Sequence, residues 1–286
     1  MRRPLCRIAC VILLGSPSLA GQTPTFSSRV DAVRVDALVT DGRQQPVLGL
    51  KAGDFDVFDN GVLQRVELVV AEQLPLRLIL AVDLSGSVAG ERLAEIRAAS
   101  HAVIDVLKRD DRATLVTFSA SVALRARMTA DLASVRAAIN EASGYGDTAL
   151  VDASYSAMVL AEADDARALV MVFSDGADTS SFLTPASVLR TAARTSAVVY
   201  GVSTSDGAPA AFLRDLSNAT GGRVLSVQSM QKLREAFLGI LEEFRQRYVL
   251  SYVPRGVARD GWHRLEVRVK NRRVAVKARP GYVAGS

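Results

Sequence analysis

Apolar and polar residues change rhythm twice along the chain. From about Val30 to Val70 they alternate with a period of two, through Val33, Val35 and Ala37, then Phe55, Val57 and Phe58, then Val62, Val66, Leu68 and Val70. Asp41-Gly42 and Asp59-Asn60-Gly61 punctuate the alternation with turn residues. The pattern predicts three or four antiparallel strands.

From about Leu76 to Gln246, strand-length apolar runs alternate with helix-length amphipathic ones. Leu76 to Val82 is apolar except at Arg77, and Ala168 to Phe173 is apolar throughout. Strands buried on both faces of a parallel sheet read this way. Glu91 to Lys108 carries Leu93, Ile96, Val103 and Leu107 at helical spacing, and Lys232 to Arg247 places Leu233, Phe237, Ile240, Leu241 and Phe244 on one face. Ala113 to Phe118 and Val122 to Arg127 are expected to form an edge hairpin. Val198 to Val202 and Arg223 to Val227 read as further strands, and helices are expected near 132–142, 149–162, 186–195 and 209–218. This alternation predicts an α/β fold with a doubly wound, mostly parallel sheet.

Period-two alternation then returns at Tyr248 to Val253, His263 to Val269 and Arg273 to Lys277. Each terminal set alone would make a thin sheet. Together they are expected to complete one small antiparallel β-sandwich, built from segments 23–74 and 248–286, with the α/β domain at 75–247 inserted between them.

Composition narrows the class. A hydrophobic share of 49% with 23% charged residues is that of a globular chain. The first 22 residues differ: Arg2, Arg3 and Arg7 precede the apolar Ile8 to Gly15 and the small-residue run Ser16 to Ala20. That is the layout of a signal peptide, so the mature protein is expected to be secreted or periplasmic, without a transmembrane segment. Cys6 and Cys10 both fall in this leader, leaving the mature chain no disulfide and no thiolate metal site. Its removal lowers the formal net charge from +5 to +2. The remainder is uneven, with +9 from Arg245 to Ser286 and −7 from Thr23 to Phe244. The basic residues of the last segment alternate with Leu265, Val267 and Val269, as on the wet face of a strand, and no nucleic-acid partner is expected. Trp262 is expected to pack on the sandwich.

Ligands of open α/β sheets bind in loops that leave the carboxyl ends of the strands. Here those loops carry Asp83, Ser85 and Ser87, then Thr148 after Gly144-Tyr145-Gly146-Asp147, then Asp175 after Ser174. Carboxylates and hydroxyls without nearby His or Cys suit Mg²⁺, with Mn²⁺ or Ca²⁺ as alternatives. If hydroxyls meet the ion directly and carboxylates act largely through water, the ion keeps enough positive charge to take an outside carboxylate. Each residue has a plainer use: Asp83 and Ser85 as caps of a helix beginning near Ala89, Thr148 as cap of the next, Asp175-Gly176 as a turn.

The set Asp83, Ser85, Ser87, Thr148 and Asp175 resembles the metal-ion-dependent adhesion site (MIDAS) of von Willebrand factor type A domains, over about Leu76 to Arg247. The resemblance implies that Ser85, Ser87 and Thr148 touch the ion while Asp83 and Asp175 hold its waters. It implies a non-enzymatic adhesion module whose protein ligand presents an Asp or Glu carboxylate. The flanking stretches Asp54 to Gly61, Tyr248 to Pro254 and Arg279-Pro280-Gly281-Tyr282 resemble the exported VWFA-related proteins of acidobacteria.

An enzyme fits less well. A dehalogenase-type phosphatase wants a second Asp where Ser85 stands, and Leu84-Ser85-Gly86-Ser87 is no nucleophile elbow. A metal-dependent hydrolase would need a base such as Asp147 or Asp178. A structural component of an envelope assembly is the remaining alternative.

Overall fold

Strand Arg167–Phe173 is buried along its whole length, and the sheet is organised around it and its neighbour Leu76–Asp83. The computed structural model describes residues 32–285 except 71–73, 87, 89, 163–165 and 204–210. The expected leader at 1–22 lies outside the described residues. In chain order the first strands are β1 (Val33–Thr40), β2 (Phe55–Asp59), β3 (Val62–Gln64) and β4 (Leu68–Val70). Then follow β5 (Leu76–Asp83), α1 (Glu91–Asp105), β6 (Arg112–Phe118), β7 (Val122–Thr129), α2 (Leu132–Glu141) and α3 (Leu150–Ala161). After these come β8 (Arg167–Phe173), α4 (Pro185–Ala192), β9 (Val198–Ser203), α5 (Ala211–Ala219), β10 (Val224–Ser226) and α6 (Leu233–Arg245). The chain ends in β11 (Tyr248–Tyr252), β12 (Gly261–Val269), β13 (Ala275–Lys277) and β14 (Gly281–Ala284).

The central sheet has the order β10-β9-β8-β5-β6-β7, parallel except for the edge strand β7. Alternation along β5 explains its two covered faces. Leu78, Leu80 and Val82 belong to the core shared with α1, α2 and α6, while Ile79 and Ala81 belong to the core shared with α3, α4 and α5. From β5 the chain crosses to β6 on one side, and from β8 it crosses to β9 on the other. The crossovers therefore diverge between β5 and β8, and a crevice opens at their carboxyl ends.

The terminal segments form two antiparallel sheets, β13-β1-β11-β4 and β14-β12-β2-β3. Each combines strands from both ends of the chain, as expected, because β1 pairs with β11 and β2 with β12. Val35, Ala37 and Leu250 from one sheet and Phe55, Val57 and Leu265 from the other share an apolar core. The strand β14 was not expected; four residues after Pro280 are too short to show a period. Trp262 is 53% exposed, its ring lying where a Cβ on Gly281 would stand.

At one edge of that core lies a polar cluster absent from the sequence reading, which gave Asp59 to a turn. Asp59 is fully buried and accepts hydrogen bonds from the hydroxyls of Tyr252 and Tyr282, both at 2.9 Å, and meets His263 Nδ1 at 2.7 Å. The basic final segment also differs in part from a solvated face. Arg264 and Arg268 are exposed on β12, but Arg247 is fully buried, donating to the Gly221 carbonyl at 2.6 Å and to Tyr200 Oη at 3.1 Å. Arg279 donates to the carbonyls of Thr195 and Ala193 at 2.7 and 2.8 Å. These side chains fasten the terminal strands to the α/β part.

Asp59→Ala strips the acceptor from two buried donors, Tyr252 and His263, and from the half-buried Tyr282. We expect about 3 kcal/mol of lost stability, seen as a lower urea midpoint; a midpoint equal to that of the exposed control Leu63→Ser would remove the cluster's structural role.

Candidate metal centre

Asp83, the last residue of β5, is fully buried. Its Oδ2 accepts from Ser174 Oγ at 2.7 Å, just past the end of β8, and its Oδ1 accepts from the Ser85 amide at 2.9 Å. Burial pushes the Asp83 carboxyl above the ordinary carboxylate range; hydrogen bonds from Ser174 and Ser85 pull it back, and the nearby Asp175 charge raises it further.

Three loops close on this carboxylate, each bonded to the other two. The loop after β5 joins the 144–148 loop through Gly86 N–H to the Gly146 carbonyl at 2.9 Å. The two backbones approach so closely that a Cβ on Gly144 would stand 1.9 Å from the Leu84 carbonyl oxygen, so only glycine fits there. The 144–148 loop joins the loop after β8: Thr179 N–H donates to the Thr148 carbonyl at 2.8 Å, and Thr148 N–H donates to Thr179 Oγ1 at 2.9 Å. The Asp83–Ser174 bond closes the triangle.

Asp83, Ser85, Thr148 and Asp175 are thereby brought to one crevice, while Ser87 lies outside the described residues. Neither Ser85 nor Thr148 is the N-cap residue of the helix that follows it. The N-cap of α1 is Gly90 and that of α3 is Ala149, and neither helix has a side-chain cap from its own N-cap residue. The first amides of α3 are met instead by another loop, with Val151 N–H donating to Asp178 Oδ1 and Ser181 Oγ at 3.1 Å. Thr148 is 6% exposed, and among the described residues its hydroxyl makes no hydrogen bond. Its lone pairs are therefore open to a ligand from outside the chain.

That is the test of fit for a cation. Two hydroxyls and two carboxylates, one hydroxyl unbonded, match a hard divalent ion held by oxygen. Among the described residues no cluster of three or more His, Cys, Asp and Glu forms, so the donors differ from a zinc or acid-cluster set. Two residues to which the sequence reading gave no role also take part. Ser174 holds Asp83, and Arg92, in the first turn of α1, pairs through Nη1 with Asp175 Oδ2 at 3.1 Å. A serine directly before the strand-end Asp, and a cation at a helix start, were the available signals.

The rim is tied by hydrogen bonds to Asp152 and carries exposed aromatics. Asp152 accepts from the amides of Phe182 and Leu183, both at 2.9 Å, which leaves the Phe182 ring 95% exposed. Tyr145 stands 85% exposed on the neighbouring loop. A groove of about 360 Å³ runs between Val122, Tyr155, Phe182 and Leu183.

Residues 78–238 match the von Willebrand factor type A domain. No curated protein matches the chain significantly. Among solved structures the chain is similar to a von Willebrand factor type A protein from Catenulispora acidiphila, at 13% identity and a TM-score of 0.55, over 81% of this chain and 72% of that one. It is similar to proximal thread matrix protein 1 from the mussel byssus, solved with a zinc-occupied MIDAS motif, at 14% identity and a TM-score of 0.53, over 64% of this chain and 48% of that one. The PilB minor pilin from Streptococcus sanguinis gives 14% identity and a TM-score of 0.51, over 62% and 63%. At these identities the likeness is one of fold, and the chain spans less than half of the mussel protein.

Gly144→Ala should force the first two loops apart. Its expected cost is about 2 kcal/mol, read as a lower thermal midpoint, and loss of amide protection at Gly86 in hydrogen exchange locates it; an undisturbed Gly86 amide would contradict the close approach.

Proposed function

The chain belongs to the von Willebrand factor type A domain family, and on that premise we propose that it is an exported, non-enzymatic binding module that captures a partner's carboxylate through one divalent cation. The binding domain, residues 75–247, is carried on a sandwich made of 23–74 and 248–286, behind a leader at 1–22. Ser85, Ser87 and Thr148 would hold Mg²⁺, or Mn²⁺ or Ca²⁺, and Asp83 and Asp175 would hold its waters. When bound, the ion supplies an electrophilic position for an Asp or Glu side chain of a protein ligand.

The convergence of Asp83, Ser85, Thr148 and Asp175 where three mutually bonded loops meet carries this reading. The zinc in the MIDAS motif of the mussel neighbour supports a divalent ion in a fold of this kind. Chain residues keep the pocket ordered before the ion arrives: Ser174 orients Asp83, and Thr179 fixes the backbone of Thr148. Tyr145 and Phe182 would offer apolar contact to whatever surrounds the captured carboxylate.

All but one of the candidates for a general base are engaged elsewhere, which supports binding over turnover. Asp178 is occupied with the start of α3, His101 meets Asn140 at 2.8 Å on a helix surface, and His263 is buried against Asp59 in the sandwich. Asp147 is exposed on the rim. Export is supported by the leader composition, and among the described residues no helix is long and apolar enough to cross a membrane.

Thr148→Val tests the proposal with little risk to folding, because it swaps an unbonded hydroxyl for a methyl of similar size. The metal-free variant should match the wild type to within about 1 kcal/mol. Mg²⁺ at about 100 times its Kd should stabilise the wild type by about 2.7 kcal/mol and the variant not at all. Pull-downs from an envelope extract should lose the same partners with the variant as with a chelator. Equal Mg²⁺ stabilisation of the two proteins would sink the proposal.

Acidification should separate the two states of the site. The Asp83 carboxyl is raised in the fold, so above that value the metal-free protein bears the cost of a desolvated charge, and the cost is relieved as pH falls through it. Protons compete with the cation over the same range, so the stabilisation by Mg²⁺ should fade as that of the metal-free fold improves. Calorimetric scans from pH 7 downwards, with and without Mg²⁺, measure both trends.

A further inference from the structure

We propose that Arg92 sets the net charge of the metal centre, weakening its hold on the cation while strengthening its hold on the partner's carboxylate. This rests on the metal-binding reading above and concerns a residue outside the expected ligand set. Asp83 and Asp175 bring two negative charges to the crevice, and a divalent ion would cancel them. A neutral centre has little to offer an anionic side chain beyond a coordination position. The Arg92 guanidinium, 3.1 Å from Asp175 Oδ2, adds one positive charge, and the loaded centre then matches a single carboxylate.

Its position argues that the pairing is the reason for the residue. Arg92 lies in the first turn of α1, where the helix end is itself positive and a cation is disfavoured. The Asp175 side chain is 5% exposed, whereas that of Arg92 is 54% exposed. The carboxylate is thus fixed in the crevice while the guanidinium reaches it from the open side, where an incoming ligand would arrive. Among the described residues, three further charged groups near these loops are acidic and lie at the rim. Glu91, Asp147 and Asp178 are exposed, and Asp178 is bonded to Ser181 Oγ and to the Val151 amide. Their charges are spread into solvent, so Arg92 is the cation in contact with an expected water-holding carboxylate.

Repulsion between Arg92 and the ion acts across a partly solvated gap, which reduces it from the buried value. Isothermal titration of the full chain with Mg²⁺ should show Arg92→Gln binding about threefold to tenfold more tightly than wild type. Trifluoroacetate serves as the carboxylate probe. Its Mg²⁺-dependent ¹⁹F line broadening should show binding about threefold weaker to Arg92→Gln. Arg92→Lys, which keeps the charge, should resemble wild type in both. A residue that merely orients Asp175 would act in the opposite direction on the metal, so weaker Mg²⁺ binding by Arg92→Gln overturns the proposal, as does an unchanged pair of affinities. Should the wild type itself take up no Mg²⁺, the metal centre falls and this inference with it; uptake by wild type with no change in the variant removes the role of Arg92 alone.

Discussion

The bond between the Ser174 hydroxyl and the buried Asp83 carboxylate is the contact on which the crevice depends. It ties the ends of β5 and β8, the two strands from which the crossovers diverge, and so fixes the spacing of the loops that leave them. A carboxylate so deeply placed needs donors, and two come from the loops it organises. Position in the sheet, desolvation and loop geometry are thus one constraint. The remaining loop is pulled in by backbone bonds from Gly86 and Thr179, which require that Gly144 have no side chain.

Much of this was legible in the sequence because period and composition report burial directly. Leu76 to Val82 and Ala168 to Phe173 read as doubly covered strands, and both are. The pairing of the two chain ends followed from the need of a thin sheet for a second layer. What escaped was whatever depends on a partner far away in sequence. Asp59 beside Asn60-Gly61 looks like a turn, and only the arrival of Tyr252, His263 and Tyr282 from the far end of the chain shows it as a buried acceptor. The strand Gly281–Ala284 was too short to carry a period. Arg92 gave a local sign only in retrospect, as a cation where the helix end disfavours one.

The basic final segment shows how the same charges serve two purposes. Arg264 and Arg268 alternate with Leu265 and Val269 and face solvent, as strand periodicity demands. Arg247 and Arg279 instead spend their donors on carbonyls at the ends of helices and strands in the α/β part. Five donors in a planar fork can satisfy several such carbonyls at once, which lysine could not do. With Arg167, which pairs with Asp36 at 2.7 Å and lies over the Phe244 ring, they make the junction polar yet buried. The positive charge of this segment is therefore partly internal scaffolding, which weakens any reading of it as a surface for anions.

Buried acids alone do not mark a functional site, and a comparison of Asp59 with Asp83 shows why. Asp59 and Asp83 are both fully buried. Around Asp59 three donors converge, and the cluster is a cross-link between strands. Around Asp83 the local rules conflict. A second carboxylate stands close enough to raise it, the Thr148 hydroxyl makes no hydrogen bond among the described residues, and a cation sits at the positive end of a helix. Each conflict costs stability by itself, and all meet where three loops leave one sheet. Natural folds tolerate such conflicts where something outside the chain resolves them. A divalent cation would neutralise the two acids and take up the Thr148 hydroxyl, and an incoming carboxylate would balance the charge that Arg92 adds. One ion and one acid resolve all three, which is the physical case for reading the crevice as a binding site and the Asp59 cluster as scaffold.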